Sequence, residues 1–288
     1  MTGYLITGGS GSFGRAIVPY LLNTGAERVV AMARHETEMA QLEADFYHPN
    51  LRCFLGDVRD IDRLKMAMRG CDIVVHAAAL KRIEQAQRDP YEAIHTNVLG
   101  TANVTLAAME SNVSKALLLS TDKASAPINL YGATKLCAEH LFLAANGVAA
   151  GRCKFSVLRY GNIWGSRGSV VPKWIKQVEE GRLPLKVTDA NATRFYMPQI
   201  EAVRMAMMVL ETMPDRVFVP YDLKAYRIAD LLIALGVNIS EDCQYIGLPE
   251  HEKLHEQLGF DDLGRPILSN QAARLTIEEL EQAIQCVN

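Results

Sequence analysis

The 288-residue chain has no marked surplus of either charge: 33 acidic residues stand against 30 basic ones, a net of −3. A surface built for nucleic acid or an anionic membrane needs a basic excess, so neither partner is expected. Long apolar runs are missing too. The longest stretch free of Asp, Glu, Lys and Arg, Ala93 to Met109, holds His95, Asn97, Gly100, Asn103 and three threonines, and is too polar to span a bilayer. No basic leader with a small-residue cleavage site precedes Tyr4-Leu5-Ile6-Thr7, so no secretory signal is expected. Cys53, Cys71, Cys137, Cys153, Cys243 and Cys286 are scattered and form no C-x-x-C pair. Free thiols in a reducing cytoplasm are expected, not disulfides or zinc ligands. His76, His95 and His140 lack metal-ligand spacing and are assigned structural roles. With 49% hydrophobic and 22% charged residues and no low-complexity tract, the chain belongs to the folded globular class.

What is present is an alternating rhythm. Strand-like runs at Tyr4–Thr7, Arg28–Ala33, Arg52–Leu55, Asp72–Ala79, Ala116–Ser120 and Phe155–Tyr160 are separated by helical patterns near 12–24, 35–47, 60–69, 90–112 and 131–147. That order implies βαβ units and a parallel sheet. Ile73 to Ala79 is apolar on both faces, as a central parallel strand requires. After residue 161 glycines and prolines multiply, with helices expected near 171–180, 199–213, 227–236 and 275–286 and a short strand at Arg216–Val219. The expected architecture is α/β: a Rossmann-type doubly wound parallel sheet from residues 1–161 and 193–221. A smaller substrate-binding lobe is expected from 162–192 and 222–288. Trp164 and Trp174, in that half, either line the sugar or base pocket or serve as packing, the commoner role of large aromatics.

Thr7-Gly8-Gly9-Ser10-Gly11-Ser12-Phe13-Gly14 follows the first strand and opens the first helix. Gly8 permits a tight turn, Gly11 lets backbone approach a pyrophosphate, and Gly14 allows close helix–strand packing. The helix N-terminus then offers N–H groups to the phosphates. Strand–turn–helix context is what distinguishes this motif from a chance glycine pattern. Where NAD-preferring sites place an acid, at the end of the second strand, this chain has Arg34. An arginine there neutralises a 2′-phosphate, which favours NADP and leaves NAD possible. Asp57, before Val58, is placed either to accept from the adenine amino group or to cap the helix beginning near Arg59.

Tyr131 and Lys135 stand at i and i+4, on one face of a helix. A free phenol, with a pKa of about 10, is a poor base at neutral pH, and a nearby ammonium together with the nicotinamide ring lowers it. Just upstream, Ser120-Thr121-Asp122-Lys123 ends a strand whose carboxyl end faces the ligand crevice. Thr121 can donate to a substrate oxygen. Asp122 and Lys123 supply an acid and a base side by side, the pair that a reaction eliminating water requires. From spacing alone they are equally a solvated strand-end pair.

These segments resemble the extended short-chain dehydrogenases/reductases. More narrowly, the chain is similar to the soluble, C5-inverting UDP-N-acetylglucosamine 4,6-dehydratases of pseudaminic-acid-type sugar pathways. The likeness is carried by Gly8–Gly14, His76 to Lys81, Thr96 to Thr101, Ser120 to Lys135, Arg159-Tyr160-Gly161-Asn162, Gly165 to Pro172, Thr193-Arg194-Phe195 and Glu252 to Glu256, across most of the chain. The membrane-anchored C5-retaining relatives typically carry Met where this chain has Tyr131. The dTDP-glucose type has Thr-Asp-Glu where this chain has Thr121-Asp122-Lys123.

The resemblance implies a catalytic set of Thr121, Asp122, Lys123, Tyr131 and Lys135. Tyr131 takes the sugar 4-hydroxyl proton, Lys123 removes the C5 proton and Asp122 protonates the departing 6-hydroxyl. It implies cofactor contacts from Gly8, Gly11, Ser12, Phe13, Gly14, Arg34, Asp57, Val58, Ala77, Ala78 and Lys81 besides the Tyr–Lys pair. Substrate contacts are implied from Lys81, Asn162, Arg167, Val171, Arg194 and Glu256, with a UDP-sugar as ligand, no metal, and assembly as a homo-oligomer. One departure stands out: relatives carry an Arg-Pro-Gly run before Glu-Lys-Leu-His-Glu, and here it is Pro249-Glu250-His251. The alternatives on this scaffold are a 4-epimerase or 4-ketoreductase and, from a different class, a non-catalytic NADP-sensing homologue.

Overall fold

The structure, a computed structural model, describes residues 2–287. In chain order the strands are β1 (Gly3–Thr7), β2 (Arg28–Ala33), β3 (Leu51–Leu55), β4 (Ile73–His76), β5 (Lys115–Thr121), β6 (Lys154–Tyr160), β7 (Asn162–Ile163), β8 (Leu185–Val187), β9 (Thr193–Met197), β10 (Val217–Phe218), β11 (Ala225–Arg227), β12 (Cys243–Tyr245), β13 (Gln257–Phe260) and β14 (Pro266–Leu268). The helices are α1 (Ser12–Asn23), α2 (Glu36–Asp45), α3 (Ile61–Ala67), α4 (Ile83–Arg88), α5 (Pro90–Ile94), α6 (Gly100–Glu110), α7 (Leu130–Ala149), α8 (Val170–Glu179), α9 (Gln199–Thr212), α10 (Ile228–Ala234) and α11 (Ile277–Gln285).

Seven parallel strands form the main sheet in the order β10-β6-β5-β4-β1-β2-β3. The order reverses between β1 and β4, and the crevice outside the carboxyl ends of strands at such a switch point is where ligands bind. Successive β1 side chains enter opposite cores. Ile6 packs with Ile17, Leu21 and Val209 under α1 and α9, while Leu5 packs with Leu64, Val104 and Phe142 under α3, α6 and α7. Burial of each such side chain stabilises the fold by about 1.5–3 kcal/mol. A three-stranded sheet, β11-β9-β7, and a core around Trp164, Trp174, Leu185, Tyr226 and Leu280 build the second lobe. Residues 193–197 hydrogen-bond in this lobe's sheet, whereas α9 and β10, which follow, return to the main one.

Three local expectations are corrected. The strand expected over 72–79 ends at His76, because the chain then crosses over the nucleotide turn and the Ala78 N–H donates to Thr7 Oγ1 (3.3 Å). The single helix expected over 90–112 contains a wide π-type turn at His95–Leu99. Asn97 turns inward there, accepting from the Leu80 N–H (2.8 Å) and donating to the Leu80 carbonyl and Thr134 Oγ1 (both 3.0 Å). A π-turn of this kind inside an α-helix often marks a functional site. Asp57 does not cap the third helix. Asp60 does, accepting from the Arg63 N–H, while Asp57 accepts from Arg59 two residues on.

His76 is structural, and its tautomer follows from its neighbours. Thr101 Oγ1 donates to the Asn97 carbonyl, so His76 Nε2 carries the proton given to Thr101 (3.0 Å). His76 Nδ1 then accepts from Thr7 Oγ1 (2.7 Å). Burial, reinforced by Lys135, pushes its pKa down to about 3. The unfolded chain therefore takes up a proton below about pH 6.5 that the folded one refuses. Stability is fully present above that pH and falls toward pH 3, by up to about 1.4 kcal/mol per pH unit from this group. His76→Gln should flatten the urea-unfolding dependence between pH 7 and 5; an unchanged slope would assign it to other groups.

Candidate active site

Two clefts meet at the carboxyl ends of β1, β4 and β5. The first is the glycine turn. Gly8 has φ +72°, and a Cβ there would lie 2.9 Å from the Ala78 nitrogen, so the turn and the β4 loop pass closer than a side chain permits. Gly11 is the N-cap of α1 and supplies no side-chain cap, and the first turn holds no acid. The N–H groups of Ser12, Phe13 and Gly14 are thus left to an outside anion. This cradle fits a dinucleotide pyrophosphate. Ala77 and Ala78 floor it, and Val58 is buried against Gly100, while Lys81 is an exposed residue of the loop that follows Ala78.

At the adenosine end Arg34 stands 3.7 Å from Asp57. Burial alone would raise the Asp57 carboxyl, but Arg59's hydrogen bonds and charge, with Arg34 behind them, leave it lowered. Arg167 is not brought to the substrate cleft. Its loop folds over the start of α1: the Arg167 N–H donates to Ser12 Oγ (2.9 Å), and its guanidinium pairs with Glu38 (3.0 Å). Glu38 also accepts from Ser10 Oγ (2.7 Å).

The second cleft lies between the lobes and is lined by Lys123, Asn162, Trp174, Lys186, Arg194 and Glu256, among others. At its floor Thr121 Oγ1 donates to Asp122 Oδ1 (3.0 Å). Lys123 Nζ reaches three acceptors: Asp122 Oδ1 (3.0 Å), Asn162 Oδ1 (3.0 Å) and Glu256 Oε1 (3.2 Å). Asp122 is fully buried, so the pair is not a solvated strand end. Burial raises the Asp122 carboxyl against Lys123's pull, with Glu256 adding to the rise. Burial would lower Lys123, but Asp122 and Glu256 outweigh it and its pKa is raised. Arg194 lies near Glu252 (3.6 Å) and Glu256 (3.8 Å), and donates to the Thr193 and Leu254 carbonyls.

Tyr131 sits at the start of α7, which can seat here because a side chain at Gly132 would overlap the Lys123 carbonyl. Burial pushes its phenol up to about 12, while the Lys123 charge and the Thr121 hydroxyl act the other way. Lys135 was expected to be the cation acting on the phenol. Instead it donates to the Leu119 carbonyl (2.8 Å), and burial brings it down to about 8 despite Glu139. Tyr131, Lys135 and Glu139 form one buried stripe at i, i+4 and i+8. Glu139 accepts from Ser120 Oγ and pairs with Arg159 through Nε (3.0 Å) and Nη2.

Val171 is buried at the start of α8 beside Trp174, which does line the cleft; Trp164 packs between Tyr196 and Tyr226. Sequence reasoning passed over Lys186, Glu139 and Asn129, whose side chain donates to the His251 carbonyl (2.9 Å). Only Glu139 had a signal, its i+4 spacing from Lys135. Among the described residues no group of His, Cys, Asp and Glu can hold a metal ion, and no helix is long and apolar enough to cross a membrane. All six cysteines are free.

A doubly wound sheet with a glycine turn at its switch point and Thr121, Tyr131 and Lys135 beside it defines an extended short-chain dehydrogenase/reductase. The chain belongs to the polysaccharide biosynthesis protein family, whose model matches residues 4–271. It is 44% identical over 262 residues to a Campylobacter jejuni protein named UDP-N-acetylglucosamine 4,6-dehydratase (inverting), covering 90% of this chain and 78% of that one. A Rickettsia rickettsii protein named UDP-glucose 4-epimerase is 36% identical, covering 88% of this chain and 76% of its own length. The X-ray structure of Pen from Bacillus thuringiensis superposes with a TM-score of 0.90 at 30% identity, covering 99% of this chain and 97% of that one.

Proposed function

We propose that the chain is a UDP-N-acetylglucosamine 4,6-dehydratase that inverts C5, forming a UDP-2-acetamido-2,6-dideoxy-hexos-4-ulose. One observation carries this: a buried carboxyl–amine pair, Asp122 and Lys123, stands beside the Thr121–Tyr131 oxidation site. A 4-epimerase or 4-ketoreductase needs only the latter, and a cofactor sensor needs neither.

A nicotinamide dinucleotide held by Gly8, Gly11, Ser12, Phe13, Gly14, Ala77, Ala78 and Lys135 supplies hydride uptake at C4 and hydride return at C6. Tyr131 takes the 4-hydroxyl proton, and Thr121 holds that oxygen. Burial holds the phenol at about 12, too basic for this step; the positive charge that an oxidised nicotinamide would supply lowers it. The resulting 4-ketone acidifies C5–H. The Lys123 amine removes that proton and becomes ammonium. Asp122, whose proton affinity burial raises, gives a proton to the departing 6-hydroxyl, which leaves as water. C5 is then reprotonated on the opposite face. Asn162, Arg194 and Lys186 face the sugar diphosphate; Lys186 supplies a cation where Pro249-Glu250-His251 has none beyond histidine.

NADP is the proposed cofactor. Arg34 is loosely paired and half exposed, free to turn to a 2′-phosphate, and the nearby acid, Glu38, is already engaged by Ser10 and Arg167. Arg34→Asp should weaken NADP about ten- to a hundredfold, the worth of a charge-assisted hydrogen bond. NAD should change little. Equal changes in the two dissociation constants would remove Arg34 from cofactor choice.

A cytoplasmic location and assembly with a second copy belong to the same reading. Leu99 and Leu106, seven residues apart and each about half exposed, offer an apolar face for that copy. The test of the activity is the product mass from UDP-N-acetylglucosamine: one water lighter supports the dehydratase, and an isobaric sugar assigns the chain to the epimerases.

A further inference from the structure

The surroundings of Lys123 Nζ suit an ammonium. Each of its three N–H bonds has an acceptor within 3.2 Å, Asp122, Asn162 and Glu256, and in that state the nitrogen has no lone pair with which to remove a carbon-bound proton. Lys123 must therefore give up a proton before the C5 step, and the three acceptors on Nζ are the nearest groups to receive it. The Asn162 amide cannot. Asp122 must already hold a proton, because it delivers one to the departing hydroxyl. That leaves Glu256.

We propose that Glu256 is the proton acceptor that converts Lys123 from ammonium to the free amine acting at C5. This rests on the dehydratase reading. Glu256 is built for the task. It is 3% exposed, its Oε2 is buried with no hydrogen-bond partner, and its backbone N–H is fixed by Ser269 Oγ (2.8 Å). Ser269 is itself tied to Thr193 Oγ1 (2.6 Å) and the Thr193 carbonyl (3.2 Å), so the carboxylate is held from the same strand, β9, that carries Arg194.

The step balances. An N–H bond of Lys123 breaks and an O–H bond of Glu256 forms. Lys123 then takes the C5 proton while Asp122 releases its own to the 6-oxygen. At rest the transfer is uphill, since Lys123, Arg194 and Lys253 outweigh burial and keep the Glu256 carboxyl low. Substrate changes this balance. Arg194 Nη1 stays on the Thr193 and Leu254 carbonyls, but its Nη2 and Nε are held only loosely by Glu252 and Glu256, at 3.6 and 3.8 Å, and a diphosphate is the stronger partner for them. Once Arg194 turns to the diphosphate, Glu256 loses one of its cations and its proton affinity rises. The base at C5 is thus unmasked by the part of the substrate remote from C5.

Glu256→Gln keeps the shape and one acceptor but cannot take a proton. With UDP-N-acetylglucosamine in heavy water, this variant should still oxidise C4, seen as reduced-nicotinamide absorbance, at a rate within a few-fold of the parent. Deuterium exchange at C5 should fall about 10²-fold or more, the usual worth of a positioned proton acceptor. Glu256→Asp should recover part of the exchange. Exchange in Glu256→Gln at the parent rate would overturn the proposal, and so would loss of C4 oxidation and exchange together, which marks a binding role. Absence of water loss in the parent protein would sink the dehydratase reading itself, a separate outcome.

Discussion

Tyr131→Phe is expected to lower kcat by about 10³-fold, with KM for the UDP-sugar nearly unchanged. In the proposed reaction the phenol takes the 4-hydroxyl proton, and a positioned general base contributes about 10²- to 10⁴-fold. Phe keeps the ring's packing against Ala86, Ala93 and Leu130, so the loss is chemical and not structural. The variant should fail at the first half-reaction: no reduced cofactor should accumulate on mixing with substrate, and C5 exchange, which depends on the 4-ketone, should vanish with it. A kcat within threefold of the parent would move the base elsewhere, and Lys123 would be the next group to test.

Glu139→Ala is expected to cost about 3–5 kcal/mol of folding stability, because it strands a charge in the core. Glu139 is 2% exposed and is the carboxylate partner of the buried Arg159 guanidinium, which among the described residues otherwise donates only to the Leu258 carbonyl (3.2 Å). It also receives Ser120 Oγ, the residue before Thr121. Glu139→Gln, which still accepts hydrogen bonds, should cost less. Thermal unfolding of the two variants distinguishes the charge from the shape, since about 1 kcal/mol corresponds to a few degrees in Tm for a domain of this size. Equal Tm values for both variants and the parent would mean that Arg159 finds solvent when its partner is removed.

The features legible in the sequence were those set by neighbours in the chain. The glycine turn needs only the strand before it and the helix after it, and Tyr131 and Lys135 share a face because a helix repeats. Side chains whose partners lie far away in the chain were legible only as types. Glu256 was legible as a cleft residue but not as a partner of Lys123, which lies far away in the chain, and Arg167 looked like a diphosphate ligand until its loop folded over Ser12. Lys135 illustrates a third case. Its position on α7 followed from spacing, but its hydrogen bond to the Leu119 carbonyl depends on where β5 ends. The inward turn of Asn97 had no local signal, since the wide turn that aims it is stabilised by Leu80 and Thr134, on other elements.

In the proposed reaction one site oxidises C4, eliminates water across C5 and C6, and resets C5 from solvent. The most direct measurement is the proton and mass spectrum of the product formed from UDP-N-acetylglucosamine in heavy water. The expected product is a 6-deoxy-4-keto sugar, one water lighter, with a single solvent deuterium at C5 and inverted configuration there. An isobaric product with no solvent deuterium at C5 would contradict it.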